Sequence, residues 1–81
     1  MGRTILVTGG SGLLGSYVMR QLAERGDQVI NFDTREPTGE LAWWLKPVVD
    51  RIRFVAGGVD MWGDIAAVVR EFAPEVIVHT A

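Results

Sequence analysis

Three glycines at a fixed interval are the residues of this chain best suited to chemistry: Gly9, Gly12 and Gly15, within Thr8-Gly9-Gly10-Ser11-Gly12-Leu13-Leu14-Gly15. Each position has its own physical reason. Glycine at 9 permits a tight turn, glycine at 12 lets a ligand approach backbone with no Cβ in the way, and glycine at 15 lets two elements pack closely. If a helix begins inside such a turn, its unpaired N–H groups and about half a unit of positive charge face outward. The chemistry on offer is phosphate binding without a side-chain cation.

The flanking elements supply that context. Arg3-Thr4-Ile5-Leu6-Val7-Thr8 is short, apolar and rich in β-branched residues, which predicts a buried parallel strand. From Leu13 onward, Leu14, Val18 and Leu22 recur every fourth residue while Arg20, Glu24 and Arg25 fall elsewhere. That pattern predicts an amphipathic helix, stopped at Gly26. The next apolar run, Gln28-Val29-Ile30-Asn31-Phe32, ends in Asp33, eighteen residues past Gly15. An acidic residue at about that distance accepts hydrogen bonds from the adenosine ribose of a dinucleotide. Its charge favours a free 2′-hydroxyl and repels a 2′-phosphate, so Asp33 points to NAD rather than NADP. Arg35 bears on the same choice, because a guanidinium there either pairs with a 2′-phosphate or lies in solvent.

Further along, Arg51-Ile52-Arg53-Phe54-Val55 alternates in polarity at its start, as a strand near a sheet edge does. Ile65, Val68, Val69 and Phe72 mark a second amphipathic helix, with Asp64 near its start and Pro74 just past its end. Val76-Ile77-Val78 has no alternation, the pattern of a central strand covered on both faces. Alternating strands and helices predict an α/β fold, the first half of a Rossmann-type doubly wound parallel sheet with strand order 3-2-1-4. Leu41-Ala42-Trp43-Trp44-Leu45 reads as an additional helix that Pro47 ends, packed on the sheet with one of its two tryptophans exposed; the alternative is an aromatic wall beside an adenine or a partner surface.

The glycine run, Asp33 and the later Val76-Ile77-Val78-His79-Thr80-Ala81 together resemble the N-terminal portion of extended short-chain dehydrogenases/reductases, the NAD-dependent epimerase/dehydratase family acting on nucleotide sugars. The resemblance spans essentially all 81 residues. Its T-G-x-x-G-x-x-G spacing differs from the G-x-G-x-x-G of other dehydrogenases. The resemblance implies that Gly9, Gly12, Leu13 and Leu14 surround the pyrophosphate and that Asp33 binds the adenosine ribose. It also implies that Thr80 and Ala81 line the path toward the nicotinamide half. One position departs: where such proteins carry an Asp for the adenine amino group, after Phe54-Val55-Ala56-Gly57, this chain has Gly58. Asp60 is the candidate substitute, and Val59 offers its backbone.

In that family a tyrosine, with a lysine four residues later lowering its pKa, acts as general acid/base. Tyr17 is followed by Gln21 at that spacing, and Lys46 has no tyrosine four residues before it. No catalytic residue is therefore assigned. Ser11 has no neighbouring base for a nucleophilic triad, and the single histidine, His79, reads as structural because the metal-ligand spacings are missing.

Composition narrows the partners. With 48% hydrophobic residues and a net charge of −2, the chain has neither the basic surface of a nucleic-acid binder nor an attraction to anionic membranes. No apolar run approaches 18 residues, and zero cysteines exclude disulfides, so a cytoplasmic protein is expected. Residues 1–81 read as one unit, half of a dinucleotide-binding domain, and as a portion of a larger epimerase, dehydratase or reductase. A chain of this size that existed alone is expected to self-associate through the unpaired edge of its fourth strand. The alternative function is a non-catalytic NAD(P)-binding or redox-sensing module of the same fold.

Overall fold

The computed structural model describes residues 2–80. Four strands, β1 (Thr4–Thr8), β2 (Gln28–Asp33), β3 (Ile52–Ala56) and β4 (Val76–His79), form one parallel sheet in the order β3-β2-β1-β4. β1 and β2 are the inner strands, and their residues are almost uniformly buried. Period-two side-chain geometry then divides them between two cores. Ile5, Val7 and Val29 meet Met19 and Ala23 of α1 (Leu13–Glu24), together with Leu45, on one face. Leu6, Ile30 and Phe32 meet Val68 of α2 (Trp62–Phe72) on the other.

The predicted order 3-2-1-4 is the order found. α1 begins after Gly12 and closes near Gly26, whose φ of +95° belongs to the left-handed region that favours glycine. β3 is an edge strand, as its alternation predicts, but Arg51 lies in the preceding element rather than in the strand. The segment between β2 and β3 holds a short helix, Gly39–Leu45, that continues as a 3-10 helix, Lys46–Arg51. Pro47 thus marks a change of helix type rather than a stop, because a proline at the start of the new element lacks only an N–H that had no partner there.

The paired tryptophans separate as expected. Trp43 is 74% exposed, whereas Trp44 packs against the α1 core, stacks with Tyr17 at a ring-centroid distance of 6.0 Å and lies 4.1 Å beneath the Arg20 guanidinium. Arg20 also donates to the Trp44 carbonyl oxygen at 2.9 Å. β4 departs from the expectation of two covered faces: Val76 and Val78 pack on the α1 side, but Ile77 is 55% exposed. An apolar run without alternation needs cover on both faces, and α2 lies over β1 and β2 rather than over Ile77.

Candidate functional site

The parallel strands bring the turn after β1 and the turn after β2 to the same end of the sheet. Gly9 adopts φ +76° and donates its N–H to the Phe32 carbonyl at 2.9 Å, so the chain leaves β1 while still tied to β2. Gly12 is the N-cap of α1 with extended backbone, and no side chain caps that terminus. The first turn of the helix carries no acidic residue. Its outward N–H groups, those of Leu13 and Leu14 among them, are therefore available to an anion from outside.

The glycines divide by what surrounds them. A Cβ on Gly15 would lie 2.1 Å from the Gly9 carbonyl oxygen and 2.6 Å from the Gly10 Cα, so α1 rests directly on the turn. A Cβ on Gly12 would meet only the Gly9 oxygen, at 3.6 Å, so the protein itself does not require glycine there. That combination suits a bound ligand. Gly10 is a close-approach position that spacing did not reveal: a Cβ there would lie 2.3 Å from Asn31 Oδ1 and 2.7 Å from Met19 Sδ.

Asp33 closes the other side. Its Oδ2 accepts from the Ser11 N–H at 3.0 Å and its Oδ1 from the Thr34 N–H at 2.6 Å. The Thr34 hydroxyl also donates to Oδ1, at 3.4 Å, and with about four lone-pair sites on a carboxylate Oδ2 can still accept from a ribose hydroxyl. Ser11, Gly12, Asp33, Thr34, Arg35, Glu36, Thr38 and Leu41 line a groove of about 400 Å³ that joins the helix start to the acidic residue. Arg35 is exposed on its wall. Thr34, Thr38 and Leu41 were not read as site residues from the sequence, because they sit in a connection with no periodic signal.

The turn after β3 adjoins this groove through the Gly57 N–H, which donates to the Asp33 carbonyl at 2.9 Å. Val59 and Asp60 form the exposed part of that turn, and Asp64 Oδ2 accepts from the Gly58 N–H at 3.2 Å. A Cβ on Gly58 would lie 2.6 Å from Asp60 Oδ1, so the Asp60 carboxylate occupies the space that a side chain at 58 would enter. Thr80 is placed beneath the loop, and its hydroxyl donates to the Thr8 carbonyl at 2.6 Å, with the Gly9 carbonyl at 3.1 Å. His79 Nδ1 shares a hydrogen bond with the Thr8 hydroxyl. Both residues brace the foot of the turn, and Ala81 lies outside the described residues. Among the described residues no group of three or more His, Cys, Asp or Glu side chains is placed to hold a metal, and no helix is long and apolar enough to cross a membrane.

Comparison with known proteins places this geometry. Residues 5–81 match the model of the NAD dependent epimerase/dehydratase family. Over 85 residues the chain is 35% identical to a dTDP-4-dehydro-6-deoxy-D-allose reductase of Streptomyces bikiniensis, covering 99% of this chain and 24% of that protein. It is 33% identical over 82 residues to a dTDP-L-rhamnose 4-epimerase of Burkholderia thailandensis, covering 99% of this chain and 22% of the other. Among solved structures, the Bordetella bronchiseptica enzyme WbmG in complex with NAD superposes with a TM-score of 0.80 at 28% identity, over 100% of this chain and 25% of that one. The dTDP-glucose 4,6-dehydratase of Bacillus anthracis in complex with NAD gives 0.79 at 31% identity, over 99% and 27%. The chain spans about a quarter of the length of these relatives.

Proposed function

The chain belongs to the NAD dependent epimerase/dehydratase family, and from that membership we propose that it binds NAD as the cofactor-holding part of an enzyme that acts on a nucleotide-linked sugar. The observation that carries this reading is a single groove bounded at one end by the uncapped start of α1 and at the other by the Asp33 carboxylate. One end suits a pyrophosphate and the other a ribose.

Each residue then has a defined task. Gly9 and Gly12 keep the backbone close to the pyrophosphate, and the N–H groups at Leu13 and Leu14 donate to its oxygens. Asp33 accepts from the adenosine ribose hydroxyls while its bonds to Ser11 and Thr34 fix its rotamer. A 2′-phosphate would bring about two negative charges against that carboxylate, which favours NAD over NADP. Arg35 stays at the exposed wall of the groove, where a lone guanidinium is screened by solvent. Asp60 presents its carboxylate to the adenine amino group from the space beside Gly58, with the Val59 backbone alongside. Thr80 holds the turn from below.

NAD, when bound, supplies a hydride acceptor. This chain's residues hold and orient it; the pairing of a tyrosine with a lysine four residues on, which the family resemblance implies for proton transfer, does not occur within these 81 residues. The substrate class follows the relatives that act on dTDP-linked sugars.

Titration calorimetry of this protein with NAD and with NADP tests the reading. NAD is expected to bind and NADP to bind at least tenfold more weakly, and Asp33→Ala is expected to weaken NAD binding about tenfold while narrowing the gap between the two. No heat with either dinucleotide would overturn the cofactor assignment. Tighter binding of NADP would overturn the role given to Asp33.

A further inference from the structure

Asn31 is a polar residue where the fold asks for none. It sits on β2 between Val7 of β1 and Phe54 of β3, in a strand whose neighbours Val29, Ile30 and Phe32 are apolar, and it is fully buried. An amide in such a place is destabilising unless bonded. Its Nδ2 donates to the Ser11 hydroxyl oxygen at 3.1 Å, while its Oδ1 is buried without a partner. The amide is therefore half satisfied, and the half that is satisfied points to the glycine turn.

Two further observations converge on the same residue. Asp33, two positions on and hence on the same side of β2, accepts from the Ser11 N–H at 3.0 Å. Gly10 lies so close to Asn31 that a Cβ would fall 2.3 Å from Oδ1. Side chains 31 and 33 thus grip Ser11 by its hydroxyl and its N–H, and Gly10 lets the turn settle on the amide.

We infer that Asn31 is a positioning residue for the dinucleotide site, holding Ser11 so that the phosphate-binding turn is already set before the cofactor arrives. This rests on the reading of that turn as the NAD site. Its physical effect is preorganisation: a turn held in place in the free protein loses less conformational freedom on binding. The apolar alternative, valine, would suit a buried inner strand better than asparagine does.

The test uses Asn31→Val, Ser11→Ala and the double variant, each first shown to unfold cooperatively on heating. In cofactor-free protein, amide hydrogen exchange at residue 11 is expected to accelerate about fivefold or more in Asn31→Val. The NAD dissociation constant is expected to rise about three- to tenfold in Asn31→Val, and the double variant is expected to be no weaker than the weaker single one, because both changes remove one bond. Unchanged exchange and affinity in a folded Asn31→Val, or losses that simply add in the double variant, would overturn the inference. If the unaltered protein binds no NAD, the functional reading fails. Exchange at residue 11 then still decides whether Asn31 sets the turn.

Discussion

Gly15 and Gly63 occupy comparable places, in the first turns of α1 and α2, yet alanine should act on them with opposite sign. Intrinsic preference alone favours alanine over glycine in a helix by up to about 1 kcal/mol at either site. At Gly63 nothing lies within 4 Å of the added Cβ, so Gly63→Ala is expected to stabilise the protein by about 0.5–1 kcal/mol. At Gly15 the same carbon would lie 2.1 Å from the Gly9 oxygen and 2.6 Å from the Gly10 Cα, where ordinary contact begins at 3.4 Å. Both obstacles are backbone, so no side chain can swing aside. Relief requires that α1 and the turn separate by about an ångström, and forced separations of this kind cost roughly 1–3 kcal/mol. Because both close atoms are backbone, the upper part of that range, about 2–3 kcal/mol, applies, and after the helix preference is subtracted Gly15→Ala is expected to lose about 1–2 kcal/mol. Urea unfolding of the two variants, followed by circular dichroism, reads both stabilities. If the turn carries the phosphate donors as proposed, Gly15→Ala should also weaken NAD binding about tenfold or more. A Gly15→Ala protein as stable as the parent would refute the argument that close packing of helix on turn dictates glycine there.

Other consequences can be measured independently. If the Asp60 carboxylate receives the adenine amino group, the protein should bind NAD several-fold more tightly than nicotinamide hypoxanthine dinucleotide, whose oxygen would face that charge; Asp60→Ala should erase the preference, and an unchanged ratio in competitive titration would remove Asp60 from the site. Ala73 ends α2 with φ 45° and ψ 56°, a left-handed conformation costing alanine about 1 kcal/mol, so Ala73→Gly should raise the urea midpoint. Trp43→Ala should change stability by less than about 0.5 kcal/mol because the ring is largely exposed. Trp44→Ala should cost roughly 2–3 kcal/mol, since it removes a core ring, the Tyr17 stack and the Arg20 contact together.

Local signals were the ones readable along the chain. The β1 turn, the start of α1, Asp33 at the end of β2 and the strand order all follow from spacing and periodicity, which involve residues close in sequence or a topology with few alternatives. What escaped detection depends on contacts across the sheet. Gly10 is packed against the Asn31 and Met19 side chains, and the Ser11 N–H and Asp33 meet across 22 residues. Neither constraint leaves a local pattern. The 3-10 helix after Leu45 escaped because proline is compatible both with ending one helix and with opening another. The exposed face of Ile77 escaped because hydropathy reports what a strand would tolerate rather than what this chain lays over it.

The brace beneath the glycine turn joins residues 71 and 72 positions apart: His79 to Thr8, and Thr80 to the Thr8 and Gly9 carbonyls. In time rather than space, this means that β1 waits for β4. Until Val76–His79 has left the ribosome, β1 has only β2 beside it, and the glycine turn lacks the hydroxyl that supports it from below. Contacts so distant in sequence are reached late and at high loop-closure cost. A nascent chain would therefore acquire its α1 helix early and its braced glycine turn only once β4 has paired with β1.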